Sequence, residues 1–180
     1  MKKIVVVISS PPGSGGTTVA RKLAKRLKMR FFSLGLYYKK LSKEKNQSEA
    51  AFELWKTKYG SSEKLHNNMD KMQTELAKKG NVVIESTLGI HFLKKLSKYK
   101  IWLDVPLKVR AERAAKRDKM NVEDALKKIS EREDIERMEW RKMYGFDYFD
   151  QKYEADFVLD SSNLTPSETV EKILKFIKEK

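Results

Sequence analysis

The residues best suited to do chemistry form one run near the start of the chain, Ser10-Pro11-Pro12-Gly13-Ser14-Gly15-Gly16-Thr17-Thr18. Gly13, Gly15 and Gly16 free the backbone to turn successive N–H groups toward one point, a concavity that suits an anion such as phosphate. Thr17 or Thr18 can offer a hydroxyl to a magnesium ion. The run approximates Gly-x-x-x-x-Gly-Lys-Ser/Thr, with Ser10 at the first glycine and Gly16 at the lysine. The lysine is the larger loss, because its ammonium normally meets the β- and γ-phosphates. Glu85 is the second feature. It closes the apolar run Val82-Val83-Ile84 and precedes Ser86-Thr87, where a carboxylate can hold magnesium or its water shell. Asp104 is a weaker candidate for the same role. The third feature is the arginine-dense stretch with Arg110, Arg113, Arg117, Arg132, Arg137 and Arg141. A guanidinium fork neutralises a transferred phosphoryl group well. A solvated hairpin laced with Glu–Arg pairs would account for many of these charges. We select Arg110, Arg113, Arg132 and Arg137 as the functional ones.

These residues need elements to position them. Ile4 to Ile8 is an unbroken β-branched run, which reads as a strand buried on both faces. Thr17 to Leu27 then has helical spacing, so the glycine turn sits at a helix N-terminus, with its free N–H groups and partial positive charge. Arg30 to Ser33 reads as a second strand, and Ser33-Leu34-Gly35 as a turn. Helices are expected over Leu36 to Lys45, Ala50 to Tyr59 and Leu65 to Lys79. Val82 to Glu85 is a buried strand, followed by a short helix over His91 to Leu96. Lys100 to Val105 is the next strand, stopped by Pro106. Leu107 to Arg117 and Asn121 to Lys142 read as two charged helices, with an irregular aromatic segment from Tyr144 to Lys152. Ala155 to Asp160 is the last strand, and Thr165-Pro166-Ser167-Glu168 caps the final helix. Five strands alternating with helices predict an α/β protein with a five-stranded parallel sheet between two helical layers. Ligands then bind beyond the carboxyl ends of the strands. The aromatics Tyr37, Tyr38, Phe52 and Trp55 are expected in the core, with base stacking as the alternative.

The bulk numbers set bounds. A chain of 180 residues is expected to form one domain, 1–180. It has no cysteine and two histidines, which argues against a disulfide or a zinc site. No apolar run is long enough to span a bilayer, and Met1-Lys2-Lys3 precede too short a run for a signal peptide, so a cytoplasmic place is expected. The net charge of +14 fits small polyphosphate ligands or a lysine-rich surface better than nucleic acid, because the lysines are scattered.

The chain resembles the nucleoside monophosphate kinases and, among them, the short archaeal type of cytidylate kinase. Ile8 to Thr18, Ser33-Leu34-Gly35, Leu76 to Glu85, Ile101 to Arg113, Glu131-Arg132-Glu133-Asp134 with Arg137, Tyr144 to Asp147 and Phe157 to Ser162 carry the likeness. The resemblance implies a three-layer α/β/α P-loop fold, a helical acceptor-binding region over 36–79 and a short lid over 107–142. It implies transfer of the γ-phosphoryl of ATP to CMP or dCMP with Mg2+, by a monomer that binds nucleotides. By position, Pro12, Gly13, Ser14, Gly15, Gly16, Thr17 and Thr18 would hold ATP, with Arg110 on the adenine side and Arg113 beside it. Arg132, Arg137 and Glu85 would be catalytic, and Thr17 and Glu85 would hold the metal. Ser33, Gly35, Lys39, Asp70, Lys71, Gln73, Ser86 and Thr87 would meet the acceptor. There the sequence departs from the family. Leu36 and Lys39 stand for Asp and Arg, Lys71 and Met72 for an arginine pair, and Ser86 and Thr87 for Gly-Arg. A kinase for another small acceptor, or a nucleotide-binding protein without turnover and with a basic surface for RNA, are the alternatives these departures leave.

Overall fold

Val6, Val7, Ile8, Val83 and Ile84 are fully buried, as continuous β-branched runs in a parallel sheet must be. In a computed structural model, residues 3–42 and 47–180 are described. The elements run β1 (Val5–Ser9), α1 (Gly16–Leu27), β2 (Arg30–Ser33), α2 (Leu34–Lys40), α3 (Gln47–Trp55), α4 (Glu63–Lys79) and β3 (Val82–Glu85). They continue with α5 (Gly89–Leu93), β4 (Tyr99–Asp104), α6 (Leu107–Asp118), α7 (Val122–Tyr144), a 3-10 helix (Tyr148–Glu154), β5 (Phe157–Asp160) and α8 (Pro166–Glu179).

The sheet order is β2-β3-β1-β4-β5 and every pairing is parallel. Alternation along the strands splits the core in two. Val5, Val7, Val82, Ile84 and Trp102 face a layer that includes Tyr38, Trp55, Met69, Ile90 and Trp140. Val6, Ile8, Val83, Ile101 and Leu103 face Val19 and Leu23 of α1 and Val170 and Ile173 of α8. Each such side chain, once buried, stabilises the fold by roughly 1.5–3 kcal/mol. A smaller seam of Ala111, Ala114, Ala115, Ala125 and Ile129 joins α6 to α7. Alanine at these positions brings the two helices close together.

Some boundaries differ from expectation, each for a local reason. α2 starts at Leu34 because the Ser33 hydroxyl accepts the Leu36 N–H and caps it. Its expected end lies partly outside the described residues, at 43–45. α3 stops at Trp55, short of Tyr59, where the Thr57 hydroxyl bonds Leu54 O and a turn begins. The helix expected at His91 to Leu96 is α5, which starts two residues and ends three residues earlier. The segment expected to be irregular ends α7 at Gly145 and then forms the 3-10 helix, which the Asp147 carboxylate caps at Phe149 N.

Candidate active site

Register brings the first site residues together. Ile8 pairs with Glu85 and Ser33 also pairs with Glu85, so the β1, β2 and β3 carboxyl ends share one edge. The glycine run leaves β1 at that edge and enters α1. Ser14 bonds Pro11 O through its N–H at 3.3 Å and its hydroxyl at 2.8 Å, which fixes the turn. Gly13 has φ +86°, and a β-carbon there would lie 3.0 Å from Arg110 Cβ. Only glycine fits. α1 has neither a side-chain cap nor an acidic residue in its first turn. Its N–H groups and dipole are therefore offered to an anion.

Glu85 faces this loop. One of its oxygens accepts the Thr17 hydroxyl at 3.1 Å and the Ser33 hydroxyl as well. A hydroxyl and a carboxylate side by side are hard oxygen donors, which suits Mg2+. The two residues expected at the metal thus lie in contact. A cleft of about 320 Å³ opens over the loop, lined by Pro12 to Thr18, Lys39, Glu85, Thr87 and Arg132. Arg117 and Lys128 line it too. Neither was selected from the sequence, where nothing local separates them from other surface cations.

A second space adjoins the cleft. Tyr38, Trp55, His66 and Trp140 line an aromatic chamber with Asp70, Ser86 and Glu136. Gly35, Thr87 and Arg132 line both spaces and form their common wall. Trp55 stacks on His66 with ring centroids 4.6 Å apart and meets Trp140 edge-on at 5.5 Å. Burial lowers the His66 pKa, and its neutral ring donates from Nε2 to Gly60 O at 2.9 Å. Tyr38, Phe52 and Trp55 are buried as expected, whereas Tyr37 is exposed on the outer side of α2; Tyr38 and Trp55 also face the chamber. Arg132 Nε donates to Glu136 Oε1 at 2.7 Å, and Trp55 Nε1 donates to the same oxygen at 3.0 Å. Glu136, only 1 % exposed, went unnoticed in the sequence. Its spacing of four from Arg132 was the available signal.

Several expected site residues lie elsewhere. Arg110 is 3 % exposed. It donates to Val105 O and Pro12 O, each at 3.0 Å, and pairs with Glu133 at 2.8 Å, so it braces the loop from below and has no face left for adenine. Arg137 pairs with Asp147 and lies over the Phe149 ring in an outer depression with Arg141. Its guanidinium is therefore engaged away from the glycine loop. Lys71 faces a shallow depression with Asn67, Thr74 and Phe92, outside the chamber. Asp104 is exposed and lines neither space. Arg113 does lie at the loop, donating to Ser14 O at 3.0 Å and to Ser161 O and Ser162 O at 2.5 and 3.1 Å. His91 stacks on Phe146 in the packing around α5.

Asp70 forms the far wall of the chamber. It accepts Gln73 Nε2 at 2.9 Å and the Tyr144 hydroxyl at 2.6 Å. Burial outweighs both bonds and raises its pKa from 3.8 to about 6. A carboxyl raised in the folded state is favoured there while protonated, so its contribution fades as pH climbs from about 4 through 6. Asp70→Asn keeps the shape and removes that fade. The variant should gain about 2 kcal/mol on the wild type between pH 4 and pH 7. Urea denaturation at the two pH values measures the gain; parallel curves would refute it.

The sequence model of the cytidylate kinase-like family matches residues 5–163. The chain belongs to this family. A cytidylate kinase from Ignicoccus hospitalis is 38 % identical over 96 % of this chain and 98 % of its own. One from Pyrococcus horikoshii is 38 % identical over 91 % of this chain and 83 % of its own. Among solved structures, the shikimate kinase of Acinetobacter baumannii in complex with shikimate aligns with a TM-score of 0.65 at 19 % identity, over 99 % and 94 % of the two chains. The shikimate kinase of Bacteroides thetaiotaomicron aligns at 0.62 and 17 %, over 97 % and 98 %. These two share the fold of this chain. Among the described residues, no helix is long and apolar enough to cross a membrane.

Proposed function

We propose that this chain is an ATP-dependent kinase that phosphorylates CMP or dCMP. The observation that carries the reading is the common wall of Gly35, Thr87 and Arg132. A donor triphosphate on the loop and an acceptor in the chamber would meet there. The chain's family and its cytidylate kinase relatives support the acceptor class.

In this reading Gly13 to Thr18 bind the donor phosphates through backbone N–H groups, and Arg113 holds the loop rigid from the flank. Thr17 and Glu85 hold Mg2+, which neutralises charge on the phosphates when bound. Arg132 reaches the transferred group, with Glu136 and Trp55 fixing its orientation. Ser33, Gly35, Ser86, Thr87 and Asp70 position the acceptor, with Gln73 holding Asp70. The aromatic walls exclude water, so the phosphoryl group passes to the acceptor and not to solvent. In-line transfer needs positioning and charge neutralisation, and no covalent intermediate.

The test is ADP release from MgATP with CMP, dCMP, UMP, AMP or no acceptor. CMP should give turnover on the order of 1–100 per second. Chelating the metal should abolish it. A rate no higher with any nucleotide than without one would refute the assignment.

A further inference from the structure

The glycine loop lacks the lysine that such loops use against the β- and γ-phosphates. Two features show how this chain manages without it. The first is steric. Ser10 is buried, and a β-carbon at position 16 would lie 2.8 Å from its Oγ. Approach that close is not tolerated without a shift. Ser10 stands where the loop pattern has glycine, and Gly16 where it has lysine. The two departures therefore adjoin: a side chain at position 16 would require the Ser10 hydroxyl to move aside.

The second feature is a cation from another element. Lys39 on α2 lines the loop cleft together with Gly16, Thr17, Glu85 and Arg132, and it does not line the aromatic chamber. Among the described residues its ammonium has no hydrogen bond or ion pair. It is also crowded by cations, with Arg132 and Arg117 acting on it against Glu85 and Glu136. Burial, with those arginines, lowers its pKa to about 8. An ammonium held there without a direct counter-ion is short of negative charge, and the missing charge is what a polyphosphate supplies.

We propose that Lys39 is the donor-phosphate lysine of this protein, replacing from α2 the one its loop lacks. The proposal rests on the reading that the loop binds a nucleoside triphosphate. It moves Lys39 from the acceptor side, where the family resemblance puts it, to the donor side.

Calorimetric titration of MgATP without any acceptor tests it. Lys39→Met should weaken binding by roughly 10–100-fold, the worth of a charge-assisted hydrogen bond. The double variant Ser10→Gly/Gly16→Lys should bind MgATP about as well as the wild type, and adding Lys39→Met to it should then change the affinity by no more than about twofold. Thermal unfolding of each variant shows that it is folded. Unchanged MgATP affinity in Lys39→Met, with a raised KM for CMP, would place Lys39 on the acceptor and overturn the proposal. Equal weakening by Lys39→Met in the wild-type and Ser10→Gly/Gly16→Lys backgrounds would overturn the replacement. A wild-type protein that binds no MgATP would overturn both this proposal and the function on which it rests, whereas MgATP binding without CMP turnover would strike at the acceptor assignment alone.

Discussion

Arg132→Ala should lower kcat/KM for CMP by about 1,000-fold or more, the cost of removing an arginine from phosphoryl transfer. Arg132 lines both the loop cleft and the aromatic chamber. Its Nε is spent on Glu136, which in turn takes Trp55 Nε1. In the proposed reading, that arrangement would leave the fork's terminal nitrogens for the reacting group and fix their direction before substrate arrives. Arg132→Lys should recover only a small part of the loss. An ammonium keeps the charge but cannot bond Glu136 and a phosphoryl oxygen in one plane. Arg137→Ala is the contrast. Its guanidinium holds Asp147 on the outer side of α7, so its removal should cost activity far less than removal of Arg132. Initial rates over a range of CMP and ATP concentrations separate the two. Equal losses would mean that Arg137 reaches the phosphates and that α7 turns over during the reaction.

The difference between these two arginines shows what the sequence could and could not convey. The loop, its strand and its helix were legible because each rests on local rules: β-branched residues for a buried strand, glycines for a sharp turn, hydroxyls at a helix start. Glu85 was legible for the same reason, since a carboxylate ending a buried strand at the ligand edge is a local pattern. The chamber was not. It is assembled from α2, α3, α4 and α7, and no local spacing says that the Trp55 indole will find Glu136, 81 positions away. The arginines look alike in the sequence, yet their roles follow from which face of α6 or α7 each one occupies. For Arg110 the face could have been read. It adjoins Ala111, Ala114 and Ala115, which form the buried seam against α7. A helix face of alanines marks close packing, and a cation on that face has to find partners inside. Reading the arginines by charge alone, without this periodicity, selected Arg110 as functional, and the family resemblance then put it beside adenine.

Arg110→Ala should therefore act on stability first. The side chain ties three separate parts of the site: Val105 at the end of β4, Pro12 in the glycine loop and Glu133 on α7. Removing it leaves the Glu133 carboxylate, largely buried, without its counter-ion and two carbonyls without their donor. Breaking a buried pair from one side costs about 3–5 kcal/mol. For a chain of this size that lowers Tm by about 10 °C. The loss should come with weaker MgATP binding, because Pro12 and Gly13 rest directly on this residue. Glu133→Gln in the Arg110→Ala background should return part of the stability, since the cost lies in the uncompensated carboxylate and a neutral amide is easier to bury. If Arg110 instead touched adenine, the variant would keep its Tm within about 2 °C and show only a raised KM for ATP. Differential scanning calorimetry with and without MgATP distinguishes the two. Partial rescue by the second substitution would fix the role of Arg110 as the brace beneath the loop.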